Sequence, residues 1–122
     1  MLDHKRKERL SSAKRYITGH ESAVFTSLLS MLQNSGSTEI KAADFTLKFV
    51  YCELKEVGKQ ELDIIEDVPS KDANIYSLSF DVFSKGSVIA EAVFYKDEIA
   101  LTPNIRTRDL ENLVHSILAS SL

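Results

Sequence analysis

A single cysteine, Cys52, leaves this chain of 122 residues without an intramolecular disulfide and without a multi-thiolate metal site of its own. A reducing intracellular compartment, cytoplasmic or nuclear, is the expected setting. No apolar run reaches the roughly 18 residues that a membrane-spanning helix needs, so no transmembrane segment is expected. Met1-Leu2 is followed by charged and polar residues instead of an apolar core, so no secretory leader is expected either.

The motifs of common chemistries are equally scarce. His4, His20 and His115 share no ligand spacing, and none sits in an H-E-x-x-H arrangement. Cys52 has no CxxC partner and no context for a thiolate nucleophile, so a packed apolar cysteine is expected. Lys85-Gly86 belongs to neither a GxxxxGK[ST] loop nor a GxGxxG turn, which leaves phosphate chemistry without its usual apparatus. Between Glu53 and Asp72 seven acidic residues face Lys55, Lys59 and Lys71, and Asp63, Glu66 and Asp67 lie close together. No glycine-centred calcium loop organises them, so they read as a solubilising or docking surface. No catalytic residue, cofactor or metal is expected, and the chain reads as a non-enzyme.

What is present is an ordinary globular composition with an uneven charge. Hydrophobic residues at 43% and charged residues at 27% suit one folded domain. The formal charge of -3 divides into +4 over residues 1–20 and -7 over the remainder. Lys5, Arg6, Lys7, Arg9, Lys14 and Arg15 make residues 1–18 a basic helical arm, followed by an α+β domain over 19–122. Leu10, Ala13 and Ile17 give that helix an apolar stripe. Continued through His20, Val24 and Met31, with Leu28 nearby, the stripe approaches a coiled-coil seam, interrupted at Gly19.

Residues 75–101 supply the organising pattern. Ser84-Lys85-Gly86 reads as a three-residue hairpin loop with Gly86 at positive φ, closed by Phe83 and Ser87. Counting outward pairs Val82 with Val88, Phe80 with Ala90, Leu78 with Ala92 and Tyr76 with Phe94, all on one apolar face. The Lys96-Asp97 turn then places Phe94 opposite Ile99 and Ala92 opposite Leu101, which adds a third strand to that face. The other face mixes Ser77, Ser79, Asp81 and Glu91 with Ile75, Ile89, Val93, Tyr95 and Ala100. A solvated face is normally more uniformly polar, so it reads as a partner surface, a second core layer or the floor of a pocket. Asp81 falls beside Ile89 in this register, leaving the carboxylates of Asp81 and Glu91 on one face without direct opposition.

Elsewhere, Val24, Phe25, Leu28, Leu29, Met31 and Leu32 predict a helix over 21–33, ended at Asn34-Ser35-Gly36. Residues 38–57 fit either a helix or a strand, and the β-formers Phe45, Thr46, Val50 and Tyr51 favour a strand over about 44–55. Leu62, Ile64 and Val68 predict another strand, stopped by Pro69. Thr107 caps a final helix striped by Leu110, Leu113, Val114, Ile117 and Leu118. The expected fold is therefore α+β, an antiparallel sheet of about five strands with N-terminal and C-terminal helices.

The functional expectation is non-covalent: an adaptor or assembly subunit that binds a protein partner, with a homodimer the most economical version. Its contact surface is Ile75, Asp81, Ile89, Glu91, Val93 and Tyr95, or the N-terminal helical stripe. The alternatives are a nucleic-acid-associated module using Lys5, Arg6, Lys7 and Arg9, and a small-molecule-binding domain with a sheet pocket near Tyr51 or Tyr76.

Overall fold

Residues concentrated in β-formers settle the ambiguous middle of the chain as strand. The computed structural model describes residues 4–121, without the side chain of His4. In chain order the elements are α1 (His4–Ser11), β1 (Lys14–Tyr16), α2 (Glu21–Ser35), β2 (Glu39–Ala42), β3 (Phe45–Leu54), β4 (Asp63–Ile65), β5 (Ile75–Ser84), β6 (Ser87–Phe94), β7 (Ile99–Thr102) and α3 (Thr107–Ser120). This is the expected α+β arrangement of an antiparallel sheet with helices at both ends. The sheet has seven strands instead of about five, in the order β1-β7-β6-β5-β3-β2, with β4 also paired to β3.

The two additional strands are short edge elements, β1 and β2. The charged helix expected over 3–18 divides at Ser12-Ala13, and Lys14–Tyr16 pairs with β7 through Lys14↔Leu101 and Tyr16↔Ile99. Ser11 and Ser12 donate their hydroxyls back to the Glu8 carbonyl, which suits the end of a helix. A ladder partner supplied by the far end of the chain overrides the local helical pattern. The interrupted coiled-coil seam does not form. Leu10 lies on one side of the sheet, Val24 and Leu28 pack on the other, and Ile17 is exposed.

α2 and α3 cover the inner face of the sheet. Val24, Leu28, Leu32, Leu110, Leu113 and Ile117 meet Leu47, Leu78, Phe80, Ala92, Phe94 and Leu101 in the main core. Phe80 sits edge-on to both Phe49 and Phe94, with ring centroids 5.7 and 5.8 Å away. Each fully buried side chain of this size contributes about 1.5–3 kcal/mol through removal from water.

The helix ends use local chemistry. Gly36 takes φ 67° and closes α2 where the sequence places the stop. At the other end Glu21 folds back so that its carboxylate accepts the backbone N–H of Thr18 and Gly19 and the Thr18 hydroxyl. Burial alone raises the Glu21 pKa, but hydrogen bonds from Thr18, with those of the Glu21 and His20 backbone, together outweigh it and hold the carboxyl below its ordinary range. α3 starts with Thr107 as its first residue and Arg106 at the cap, so the expected Thr107 cap is displaced by one position.

Three one-residue register irregularities reshape the sheet, one between β5 and β6 and two between β3 and β5. The first turn contains only Lys85 and Gly86, at φ 52° and 82°, with Ser84 opposite Ser87. Two positive φ values in a two-residue loop match the twist of the strands and replace the expected three-residue loop. A bulge between Val82 and Phe83 then adds Ile89 to β6, so that Val82 meets Ala90, Phe80 meets Ala92 and Leu78 meets Phe94. This two-residue displacement preserves the inner face but exchanges two neighbours. Val88 is 58% exposed, while Ile89 packs against the main core.

On the other side of β5, the pairing shifts between Phe49 and Tyr51 and again between Glu53 and Leu54. Phe49 stays inside opposite Phe80, whereas Tyr51 turns to the outer face opposite Ser79. Leu54 meets Ile75, which places Ile75 in the main core, and Tyr76 is 46% exposed. Ile75 therefore does not belong to the mixed face, and Tyr76 does not belong to the apolar one. The second turn matches expectation, with Phe94 opposite Ile99 and Ala92 opposite Leu101.

Candidate functional site on the outer sheet face

The same register shift places Asp81 directly opposite Glu91. Two carboxylates facing each other on adjacent strands repel, so this pair requires a cation. Arg6 of α1 supplies it. Its Nη1 donates to Asp81 Oδ1 at 2.6 Å and to Glu91 Oε2 at 2.8 Å. Its Nη2 donates to Ser79 Oγ at 3.1 Å and to the Phe80 carbonyl at 3.3 Å. The Arg6 side chain is only 8% exposed, and among the described residues its buried Nε has no hydrogen-bond partner. Arg9 grips Glu91 from the solvent side, donating Nε to Oε1 at 2.7 Å and Nη2 to Oε2 at 2.9 Å.

Leu10 completes the contact between α1 and the sheet, buried against Val93 and Ala100 with Ala13 and Tyr95 beside them. Arg9 and Leu10 lie three and four residues from Arg6, so a single helical face presents all three. The expected second layer on the mixed sheet face is thus in part the chain's own basic helix.

Next to Arg6 the outer face continues as a buried polar layer. Ser77 donates its hydroxyl to Glu53 Oε1 at 2.8 Å, and Ser77, Ser79, Glu53 and Tyr51 are all buried. Burial raises the Tyr51 phenol against the lowering effect of a hydrogen bond with Ser79. Burial also raises Tyr95, against a hydrogen bond and the charge of Arg15, which lower it. Tyr95 lies edge-on to Tyr76 at 5.5 Å, with the Arg15 guanidinium 5.1 Å from its ring centre. Arg15 also bridges to Glu98 at 3.2 Å.

Two apolar ends of this face stay open. One is the Tyr76–Tyr95 pair. The other is a groove of about 430 Å³ at the β5–β6 hairpin, where Phe83, Val88, Ile89 and Pro103 lie beside Asp81.

The residues singled out in the sequence therefore separate. Asp81, Glu91, Val93 and Tyr95 share the outer face, Ile89 sits at a bulge and Ile75 lies inside. Of the basic residues, Arg6 and Arg9 engage the first two, Arg15 engages Glu98, and Lys14 lies over the Tyr16 ring at 5.1 Å. Lys5 and Lys7 are exposed on α1. Tyr51 and Glu53 join the site without having been indicated by alternation, because the irregularity after Phe49 reverses their facing. Ser77 and Ser79 were visible as polar positions, though not as buried ones.

Other chemistry-bearing groups are dispersed. Cys52 is buried, and burial, followed by the charge of Glu53, pushes its thiol up to about 11. In the acidic segment, Lys59 bridges Glu56 at 2.9 Å and Asp63 at 3.5 Å. His20 and His115 approach with ring centres 6.3 Å apart along a groove of about 410 Å³ between β1 and α3. The His4 side chain lies outside the described residues. Among the described residues no three His, Cys, Asp or Glu side chains converge for a metal ion, and no helix is long and apolar enough to cross a membrane.

The chain matches no family model, no curated protein and no solved structure.

Proposed function

We propose that this chain is a non-catalytic protein-interaction subunit, an adaptor or assembly component, which meets its partner through the outer face of the sheet. The observation that supports this reading is the composition of that face. An acid–arginine centre is flanked by two apolar ends, exposed Tyr76 beside half-buried Tyr95 and exposed Val88 beside half-buried Phe83. Aromatic and aliphatic groups beside fixed charges are suited to specific protein contacts, the former for area and the latter for orientation. Arg6 and Arg9, which a nucleic-acid-binding arm would turn toward phosphates, are instead spent on carboxylates.

A second copy of the chain is the first partner to test. Light-scattering mass is measured across concentration for the native chain and for Tyr76→Asp and Val88→Asp. The expected mass is twice the 13.7 kDa chain, falling to the single-chain value in either variant. A constant 13.7 kDa would reject the homodimer and direct the search to a heterologous partner. A dimer indifferent to both substitutions would overturn the assignment to this face.

A further inference from the structure

The opposed carboxylates of Asp81 and Glu91, with Ser79 and the Phe80 carbonyl beneath them, form a receptor for one guanidinium. A planar guanidinium with donors in a fixed fork fits such a divided acceptor set better than an ammonium does. Leu10 fills the adjoining apolar contact with Val93 and Ala100, and Arg9 closes over Glu91. α1 thereby displays what the face recognises: a helix bearing Arg-x-x-Arg-Leu.

The occupant is a short helix whose hold on the sheet rests on three side chains, Arg6, Arg9 and Leu10. α1 has eight residues, too few for a helix to persist on its own in water. Among the described residues no acidic side chain lies in its first turn. Its one fully apolar anchor is Leu10, and its buried Arg6 Nε finds no acceptor among the described residues. An unmet buried donor is a cost that a better-fitted arginine would not incur.

We infer that this face is a docking site for an arginine-bearing helix of a partner protein, and that α1 is its tethered, displaceable occupant. The inference rests on the interaction reading above and specifies the partner's chemistry. Removal of α1 strips the facing carboxylates of their guanidinium and leaves the cross-strand Lys48 beside Asp81 with an ammonium in place of that fork, so exchange of helices favours an incoming helix that brings its own guanidinium.

The test uses the full chain with Arg6→Ala and Leu10→Ala, which releases α1, titrated with a synthetic peptide of residues 1–13. The peptide is expected to bind this variant at least about ten-fold more tightly than the native chain, where α1 competes in cis. A peptide carrying Arg6→Lys or Arg6→Ala should lose about ten-fold or more, as should the variant chain with Glu91→Gln added. Equal binding of the Arg6→Lys peptide would overturn guanidinium recognition in favour of general attraction of positive charge. No binding, or α1 amides as protected from hydrogen exchange in the double variant as in the native chain, would overturn the displaceable helix. Should the double variant fail to fold, the single variant Leu10→Ala is titrated with the same peptides and judged by the same outcomes. The light-scattering series probes Tyr76 and Val88 instead, so the broader reading and this inference fail separately.

Discussion

Arg6 Nη1 lies 2.6 Å from Asp81 Oδ1 across 75 residues of sequence, and this contact joins the most basic stretch of the chain to the centre of its sheet. The two groups are unequal in setting: Arg6 is 8% exposed and Asp81 33%. Withdrawing a buried guanidinium leaves Asp81 and Glu91 opposed, whereas withdrawing a solvent-facing one leaves Arg6 in place.

Arg6→Ala should therefore cost about 2–4 kcal/mol of folding stability, below the full figure for an isolated buried pair because Asp81 retains solvent and Glu91 retains Arg9. Arg9→Ala should cost less than about 1 kcal/mol, since that side chain is 47% exposed. Urea unfolding of both variants checks the ordering. Equal losses would contradict the burial that distinguishes the two arginines.

The second irregularity of β5 makes a sharper contrast between neighbours. Ile75 is buried in the main core at 4% exposure and Tyr76 stands outside at 46%. Ile75→Ala should lose about 2–4 kcal/mol, as other large-to-small core changes do, and Tyr76→Ala less than about 1 kcal/mol. The reverse ordering, measured by the same unfolding curves, would restore the uninterrupted alternation that the sequence suggests.

Cys52 makes stability pH-dependent in a definite direction. Its folded pKa of about 11 lies above the ordinary value of 9.0, so the folded chain keeps a proton that the unfolded chain gives up. The contribution is fully present below about pH 9 and is lost as pH rises to about 11, amounting to about 2–3 kcal/mol in total. Tyr51 and Tyr95, both raised by burial, act in the same direction. The thermal midpoint should fall over this alkaline window, and more steeply for the native chain than for Cys52→Ala. Parallel slopes would show that Cys52 is ionised as easily folded as unfolded.

Periodicity made much of this architecture legible, and the particular residues show where it stops. Gly36 marks the end of α2, Phe94↔Ile99 follows from a two-residue turn, and Phe45 to Leu54 reads as a strand from its β-formers. Counting by twos has no means of registering a residue inserted on one strand, so it puts Tyr76, Val88 and Ile89 on the wrong sides and separates Asp81 from Glu91. β1 was hidden for a different reason. Lys14-Arg15-Tyr16 carries little strand signal of its own and acquires a ladder only from Leu101 to Ile99. The burial of Arg6 was equally illegible, because a basic residue in a charged run is ordinarily solvated and its counter-charges lie far along the sequence.

The pairing of β1 with β7 orders events in time as well as space. Lys14 meets Leu101, and Arg6 meets Glu91 across 85 residues, so the basic segment is synthesised well before the strands it holds. The β5–β6–β7 hairpins close locally and can assemble first, while α1 and β1 join in a late, entropically costly step. Until then Arg6 and Arg9 lack Asp81 and Glu91, and closure of the sheet is the event that supplies those counter-charges.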